Sequence, residues 1–263
     1  MSGVRYGPAV PAQARSAIFV APFDELADPR LLAELAADAE AAGFDGFFLW
    51  DHIIYSAPTR EVLDPWIALA AIAMATERVR IGPLVTPLSR RRPHKLARET
   101  VTLDLLSNGR LVLGIGLGSD RHRELSPFGE VHEPREQARL LDDGLMHLER
   151  YWGGEFLPRP VQQPRIPIWA AARWPHRRPV SRAVKLDGLF PVDLPSPAAL
   201  AELKQEIEAQ RPADAGPFDL VVTGKPGTDP APWAEAGATW CLTGFGPQPK
   251  LGDVRAAIAD GPR

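Results

Sequence analysis

At 263 residues, with 45% apolar and 24% charged side chains, the chain has enough material for one large globular core, and a barrel of about 250 residues fits that length. The formal net charge of −3, from 30 basic and 33 acidic residues, argues against a nucleic-acid-binding face, although arginines clustered at 90–92 and 177–178 could hold a small anion. One cysteine, Cys241, excludes an internal disulfide framework. No run approaches the ~18 apolar residues of a membrane span, and the opening MSGVRYGPAVPAQAR lacks an apolar signal-peptide region, so the expected setting is cytoplasmic, away from membranes, with 1–15 a flexible N-terminal segment.

Strand one is predicted at 16–23 (SAIFVAPF), rich in β-formers. The helix behind it has Asp28 as N-cap, Pro29 in its first turn and Gly43 as its stop. Strand two is 44–52 (FDGFFLWDH), and Asp64-Pro65 opens a helix through WIALAAIAMATER. Strand three is 79–87 (VRIGPLVTP). Helix three starts near Pro93 and ends at LLSNG, where Gly109 suits a position just past the helix end. Strand four is 110–118 (RLVLGIGLG), and a long amphipathic helix follows from Glu133. Strand five is 166–172 (IPIWAAA), then come the short helix PVSRAVKL, strand six DGLFPVD and a helix capped at Ser196-Pro197. FDLVVTG, PAPWAEAGA, TWCLTGF and KLGDVRAAIADG complete the series as strand, helix, strand and helix.

Alternating β and α elements predict a parallel sheet. Three joints look alike, AAGFDGFFLWD, AVKLDGLFPVD and AEAGATWCLTG, and eight units of about 33 residues match a repeated βα unit. Closure leaves no exposed edge, so the expected fold is a single (β/α)8 TIM barrel, an α/β fold occupying 1–263 as one domain; a doubly wound open sheet is the alternative. Active sites in such barrels lie at the C-terminal strand ends. The candidate positions are therefore 50–52, 85–92, 116–124, 171–178, 192–193, 223–225 and 243–246.

His52 ends strand two beside Asp51 and just after Trp50. It reads either as an acid/base or cofactor-contacting residue, or as a capping or core histidine. Asp51 either orients His52, contacts a cofactor, or caps the following loop. In GIGLG, residues 114–118, Gly116 and Gly118 either let a flat ring approach the strand or allow tight packing in the barrel taper; the dinucleotide fingerprint is not met. The run 170–178 (AAARWPHRR) reads as an anion site or as a solvated basic loop. At the end of strand three, Thr86 could bond a cofactor carbonyl, while at least two of the arginines at 90–92 are expected to face water. No GxSxG, HExxH or Walker A motif occurs, the six histidines are scattered, and no metal site is expected. Cys241 reads as packing rather than nucleophile.

The blocks AAGFDGFFLWDH, DPWIALAAIAMATERVRIGPLVTP and RRRPHKLARETVTLDLLSNGRLVLGIGLG resemble the luciferase-like family of flavin- and deazaflavin-dependent oxidoreductases. The likeness continues through ELSPFGEVHEPR, IPIWAAARWPHRRPVSRAVKLDGLFPV and PWAEAGATWCL. It implies a barrel holding FMN or coenzyme F420 at its C-terminal mouth. The activity it implies is hydride transfer with F420, or oxygen activation with reduced FMN, on a small organic substrate. Asp51-His52 is similar to the pair in deazaflavin-using members, which gives both residues a catalytic or cofactor role and leans the cofactor towards F420. The resemblance further places Trp50, Pro83, Leu84, Val85, Thr86, Gly116 and Gly118 against the cofactor. It expects a non-prolyl cis peptide within 83–86, and assigns the cofactor phosphate to Ala171, Ala172, Arg173 and Trp174.

The chain departs from the family pattern at Ala171-Ala172, where glycines are common, at Ser119, where an aromatic is common, and in lacking bulky insertions, which leaves the pocket open or closed by a partner subunit. A homodimer and a separate flavin reductase are the partners the resemblance suggests. A non-catalytic flavin-binding barrel and a phosphate-binding isomerase are the competing readings.

Overall fold

The computed structural model describes residues 14–212 and 214–263. Most of the predicted flexible segment, 1–13, lies outside the described residues; Arg15, its last residue, already belongs to the first strand. The strand segments are β1 (Arg15–Val20), β2 (Gly46–Leu49), β3 (Arg80–Pro83), β4 (Thr86–Pro87), β5 (Leu113–Gly116), β6 (Ile168–Arg173), β7 (Gly188–Val192), β8 (Asp219–Gly224) and β9 (Trp240–Gly244). The helices are α1 (Pro29–Ala41), α2 (Pro65–Ala75), α3 (Pro93–Leu106), α4 (Pro134–Arg150), α5 (Arg178–Ala183), α6 (Pro197–Gln210), α7 (Ala231–Glu235) and α8 (Leu251–Asp260).

The strands run in the order β3-β2-β1-β9-β8-β7-β6-β5-β4, and every pair is parallel. β3 and β4 are two halves of the predicted third strand, which bends at a cis Leu84-Val85 peptide. The lower half pairs with β2, and Ile81 also bridges to Leu111. The upper half pairs with β5 through Thr86 and Ile115. One bent strand therefore borders both neighbours and closes the ring, as the repeated βα pattern predicted.

Helix starts follow the sequence closely. Asp28, Asp64, Glu133 and Ser196 each accept a first-turn backbone N–H, at 2.8–3.3 Å, with a proline following. Such caps contribute about 1 kcal/mol each. Strand ends follow it less well. Strand one stops at Val20, because Pro22 has no N–H to continue the ladder, and Phe23 instead forms an antiparallel bridge with Val62. Strand four is confined to Leu113–Gly116. The amphipathic helix continues past Arg150 into a wide π-type turn, Tyr151–Glu155.

Alternation along the strands sorts the core into two shells. Ala17, Phe19, Phe48, Val112, Trp169, Phe190, Val221, Trp240 and Leu242 fill the barrel interior, while residues such as Ile18, Phe47, Ile81, Leu113 and Val222 meet the helices outside. α2 is apolar throughout, and its Ile67 and Met74 are exposed on the surface. Among the described residues no helix is long and apolar enough to cross a membrane.

Candidate functional site

Two loops and the bend of the third strand meet above the barrel interior. The first loop follows β2 from Trp50 to Asp64. Its middle is tied down by Asp24, whose Oδ1 accepts the N–H groups of Arg60 and Glu61 at 2.9 and 3.0 Å; these bonds hold the Asp24 carboxyl below the usual aspartate range. The second loop follows β5, with short 3₁₀ turns at Asp120–His122 and Ser126–Phe128. Ser119 caps the first turn. Asp120 Oδ1 accepts from the N–H groups of Leu125 and Ser126, and Leu125 is buried. Between these anchors the loop carries Glu124 inward, where its side chain is 1% exposed.

Asp51 is buried beneath the mouth rather than facing it. Its carboxylate accepts from Trp66 Nε1 at 3.3 Å, Thr86 Oγ1 at 2.7 Å, Arg90 Nη2 at 2.5 Å and Arg91 Nη2 at 2.9 Å. At least two of the three arginines at 90–92 were expected to face water; Arg90 and Arg91 are instead committed to a buried carboxylate, and the Arg90 side chain is 2% exposed. The physical reason is that a charge cannot be buried without a partner. The Thr86 hydroxyl, expected to bond a cofactor carbonyl, is likewise fully buried and spent on Asp51.

Arg90 also reaches upward: its Nη1 donates to Glu124 Oε2 at 3.2 Å. Glu124 in turn lies 3.1 and 3.2 Å from His52 Nδ1 and accepts the N–H of Ile53 at 3.3 Å. An ionised carboxylate only accepts, so Nδ1 carries a proton, and in the neutral imidazole Nε2 keeps its lone pair. Among the described residues Nε2 has no hydrogen-bond partner, and the side chain is 22% exposed. Phe23, Trp50 and Tyr55 surround the ring at 5.1–5.9 Å between centroids. Tyr55 stacks on His122 at 3.9 Å, and Ser56 Oγ lies 2.8 Å from His122 Nδ1. Burial, and then the neighbouring His52 imidazole, push the His122 imidazole below its ordinary value; burial raises the Tyr55 phenol.

Trp50, its ring centroid 5.8 Å from that of His52, rests half-buried on the inner core with Val85, Ala171 and Val192, and the four form an apolar shelf. Leu84 lies beneath them in the core itself, and Pro83 ends β3 beside Leu49. Gly116 faces inward between Val85 and Ala171, where a Cβ would stand 2.7 Å from Val85 Cγ2. Gly118 instead fits against Pro87 with φ of +80°. The rest of the predicted phosphate run is dispersed. Ala172 turns outward into the helix-facing core, Arg173 is exposed at the rim in an ion pair with Asp193, and Trp174 packs outward with Arg177 over its ring at 4.3 Å.

Glu124 and Arg90 are the residues that sequence reasoning passed over. Both fell within the strand-end windows, but neither belongs to a motif. The one available signal was that an aspartate buried at a strand end needs cations, and RRR follows on the neighbouring strand. Cys241 is half-buried on the outer face of β9, and burial pushes its thiol up to about 11. It lines a groove of about 500 Å³ beside α8 that takes in Gly224, Lys225 and 243–246 from the predicted strand-end windows but none of the residues around His52. No cluster of three or more His, Cys, Asp or Glu side chains able to hold a metal occurs among the described residues.

The family model described as luciferase-like monooxygenase matches residues 7–236. An uncharacterized protein from Mycobacterium tuberculosis is 31% identical over 218 residues, covering 75% of this chain and 74% of its own. An F420-dependent glucose-6-phosphate dehydrogenase from Amycolatopsis mediterranei is 36% identical over 130 residues, 47% of this chain and 38% of that protein. The oxygenase component of a flavin-dependent trigonelline monooxygenase from Acinetobacter baylyi is 27% identical over 161 residues, 55% and 43% respectively. The chain thus spans well under half the length of both relatives with a named activity. Among solved structures, an F420-dependent secondary alcohol dehydrogenase in complex with an F420-acetone adduct superposes with a TM-score of 0.76 at 16% identity, covering 94% of this chain and 96% of that one, which shows a shared fold.

Proposed function

Since the chain belongs to the luciferase-like monooxygenase family, we propose that it is a cytoplasmic oxidoreductase, a single domain over 1–263, whose barrel mouth binds a flavin-type ring next to His52. The observation that carries this reading is the imidazole itself: Nδ1 is held by a buried carboxylate while Nε2 has no partner among the described residues, next to an apolar shelf that begins at Trp50. The shelf fits a flat ring. Trp50, Val85, Ala171 and Val192 give it an apolar floor, and the absence of a side chain at Gly116 keeps that floor level. Bound there, the cofactor supplies hydride transfer or, as reduced FMN, oxygen activation.

The chain's own contribution is acid/base chemistry and orientation. Glu124 fixes the tautomer and direction of His52, so that Nε2 accepts a proton from a substrate hydroxyl or, once protonated, returns one. Phe23, Trp50 and Tyr55 pack around the ring and limit its rotation. Arg173, the cation of the 171–174 run that stands at the rim, would meet a phosphate by exchanging its Asp193 partner. Between the two cofactors the reading favours F420. The Asp51-His52 pair supports this, as does the local identity with an F420-dependent dehydrogenase. With FMN instead, a separate reductase would deliver the reduced cofactor, in the way that an oxygenase component needs one.

The test is His52→Ala. Cofactor affinity stays within about threefold of the unsubstituted protein, whereas turnover falls at least about 100-fold, the usual contribution of a positioned acid/base group. Turnover unchanged in a folded variant would remove the assigned role.

A further inference from the structure

We propose that Arg90 is a positioning residue that keeps His52 available for proton transfer by taking over its duty as counter-ion to Glu124. The inference rests on the acid/base reading of His52 for its catalytic meaning, but its test does not.

The argument starts from charge. Asp51 and Glu124 are both 1% exposed, so each must be matched by a cation or remain buried and unpaired at a cost of several kcal/mol. Asp51 has two arginines, at 2.5 and 2.9 Å. Glu124 has Arg90 at 3.2 Å and His52 at 3.1 Å. Counted over the four permanently charged groups, two carboxylates meet two guanidinium groups, and the cluster is neutral with His52 uncharged. The imidazole is therefore free to gain or lose a proton without leaving a buried carboxylate uncompensated.

The geometry requires an arginine. The planar guanidinium sends Nη1 to Glu124 and Nη2 to both Oδ1 and the backbone oxygen of Asp51, two directions at once from one rigid group. This fork also fixes how far the second loop stands from the first, since it joins Asp51 on one to Glu124 on the other. Without Arg90 the cluster carries one uncompensated negative charge, and the nearest group able to cancel it is His52. The imidazole would then hold its proton as the partner of Glu124 and lose its use as a base. Of the other groups near His52, Arg121 and His122 of the second loop can only add positive charge, which opposes protonation of His52 and is the same with or without Arg90; Tyr55, Phe23 and Trp50 are uncharged.

The test reads His52 directly in the purified protein, with no cofactor or substrate needed. Imidazole resonances are followed by NMR against pH in the unsubstituted chain, in Arg90→Gln and in Glu124→Gln, with His52 and His122 assigned by loss of signal in His52→Gln and His122→Gln. In Arg90→Gln the His52 midpoint rises by about one pH unit, a tenfold gain in proton affinity, of the size expected when a charge is removed from a buried cluster. In Glu124→Gln it falls, because the anion is gone. A purely structural Arg90 would lower stability while leaving the His52 midpoint in place, and an unchanged or lowered midpoint in folded Arg90→Gln overturns the proposal. Should Arg90→Gln not fold, Arg90→Met carries the test, since it keeps much of the side-chain volume and removes the charge; the midpoint rises in it as in Arg90→Gln, and no rise in folded Arg90→Met overturns the proposal equally. If the midpoints move as stated but His52→Ala keeps its turnover, the electrostatic assignment stands and the acid/base role of His52 fails.

Discussion

Asp51 accepts hydrogen bonds from four side chains in a space closed to water, two of them from guanidinium groups. Replacing Asp51 with Asn removes the charge but not the volume, and strands Arg91 and half of Arg90. The expected loss of stability is about 3–5 kcal/mol, the range for breaking a buried ion pair on one side, measured by urea unfolding; a loss below about 1 kcal/mol would show that these contacts contribute little. Asp51 and His52 were visible in the sequence because they sit together at a predicted strand end. Glu124 was not, since it meets His52 from 72 residues away in a loop without a motif. The arginines at 90–92 were misread for a related reason. A basic run looks solvated until the carboxylate it neutralises is known to be buried. Ala172 and Trp174 show the same limit, because the family pattern points to a stretch of chain, while the strand pleat decides which of its side chains face the mouth.

Elements were legible where a cap or a breaker marks them. Four helices start where the sequence opens them, at Asp28, Asp64, Glu133 and Ser196, each with proline behind it. The bend of the third strand was expected only through the family resemblance; its packing depends on contacts from another element. Gly114 gives way to the Pro83 carbonyl and the Leu84 side chain, and Gly116 to Val85. Glycines on β5 therefore let the bent strand cross close by, a pairing across the ring that local sequence does not encode. The loop that carries His52 has its own latch in Asp24, whose carboxyl is held below the usual aspartate range by the N–H groups of Glu61 and Arg60. A group with a depressed native value stabilises fully above the ordinary range and loses its effect as pH falls through the native value. The amides of Arg60 and Glu61 should thus lose hydrogen-exchange protection in acid sooner than the strands of the barrel. In Asp24→Asn the same amides should be poorly protected already at neutral pH. Protection unchanged in that variant would mean that Phe23–Val62 pairing alone holds the loop.

At the scale of the molecule, the closed parallel ring follows from eight repeated units and from the need to leave no edge, and every strand pair is parallel as expected. The ring gathers strand ends distant in sequence around one mouth, with an apolar floor below and a single histidine held by a buried carboxylate at its side. The claim that this mouth holds a flavin-type ring is tested most directly by equilibrium titration of the purified protein with F420, FMN and anaerobically reduced FMN, followed by absorbance and fluorescence. The account predicts saturable one-to-one binding, with F420 held more tightly than either form of FMN. Preference for reduced FMN would keep the flavin-type site and replace dehydrogenase by monooxygenase chemistry. Failure of all three to bind would contradict the central claim.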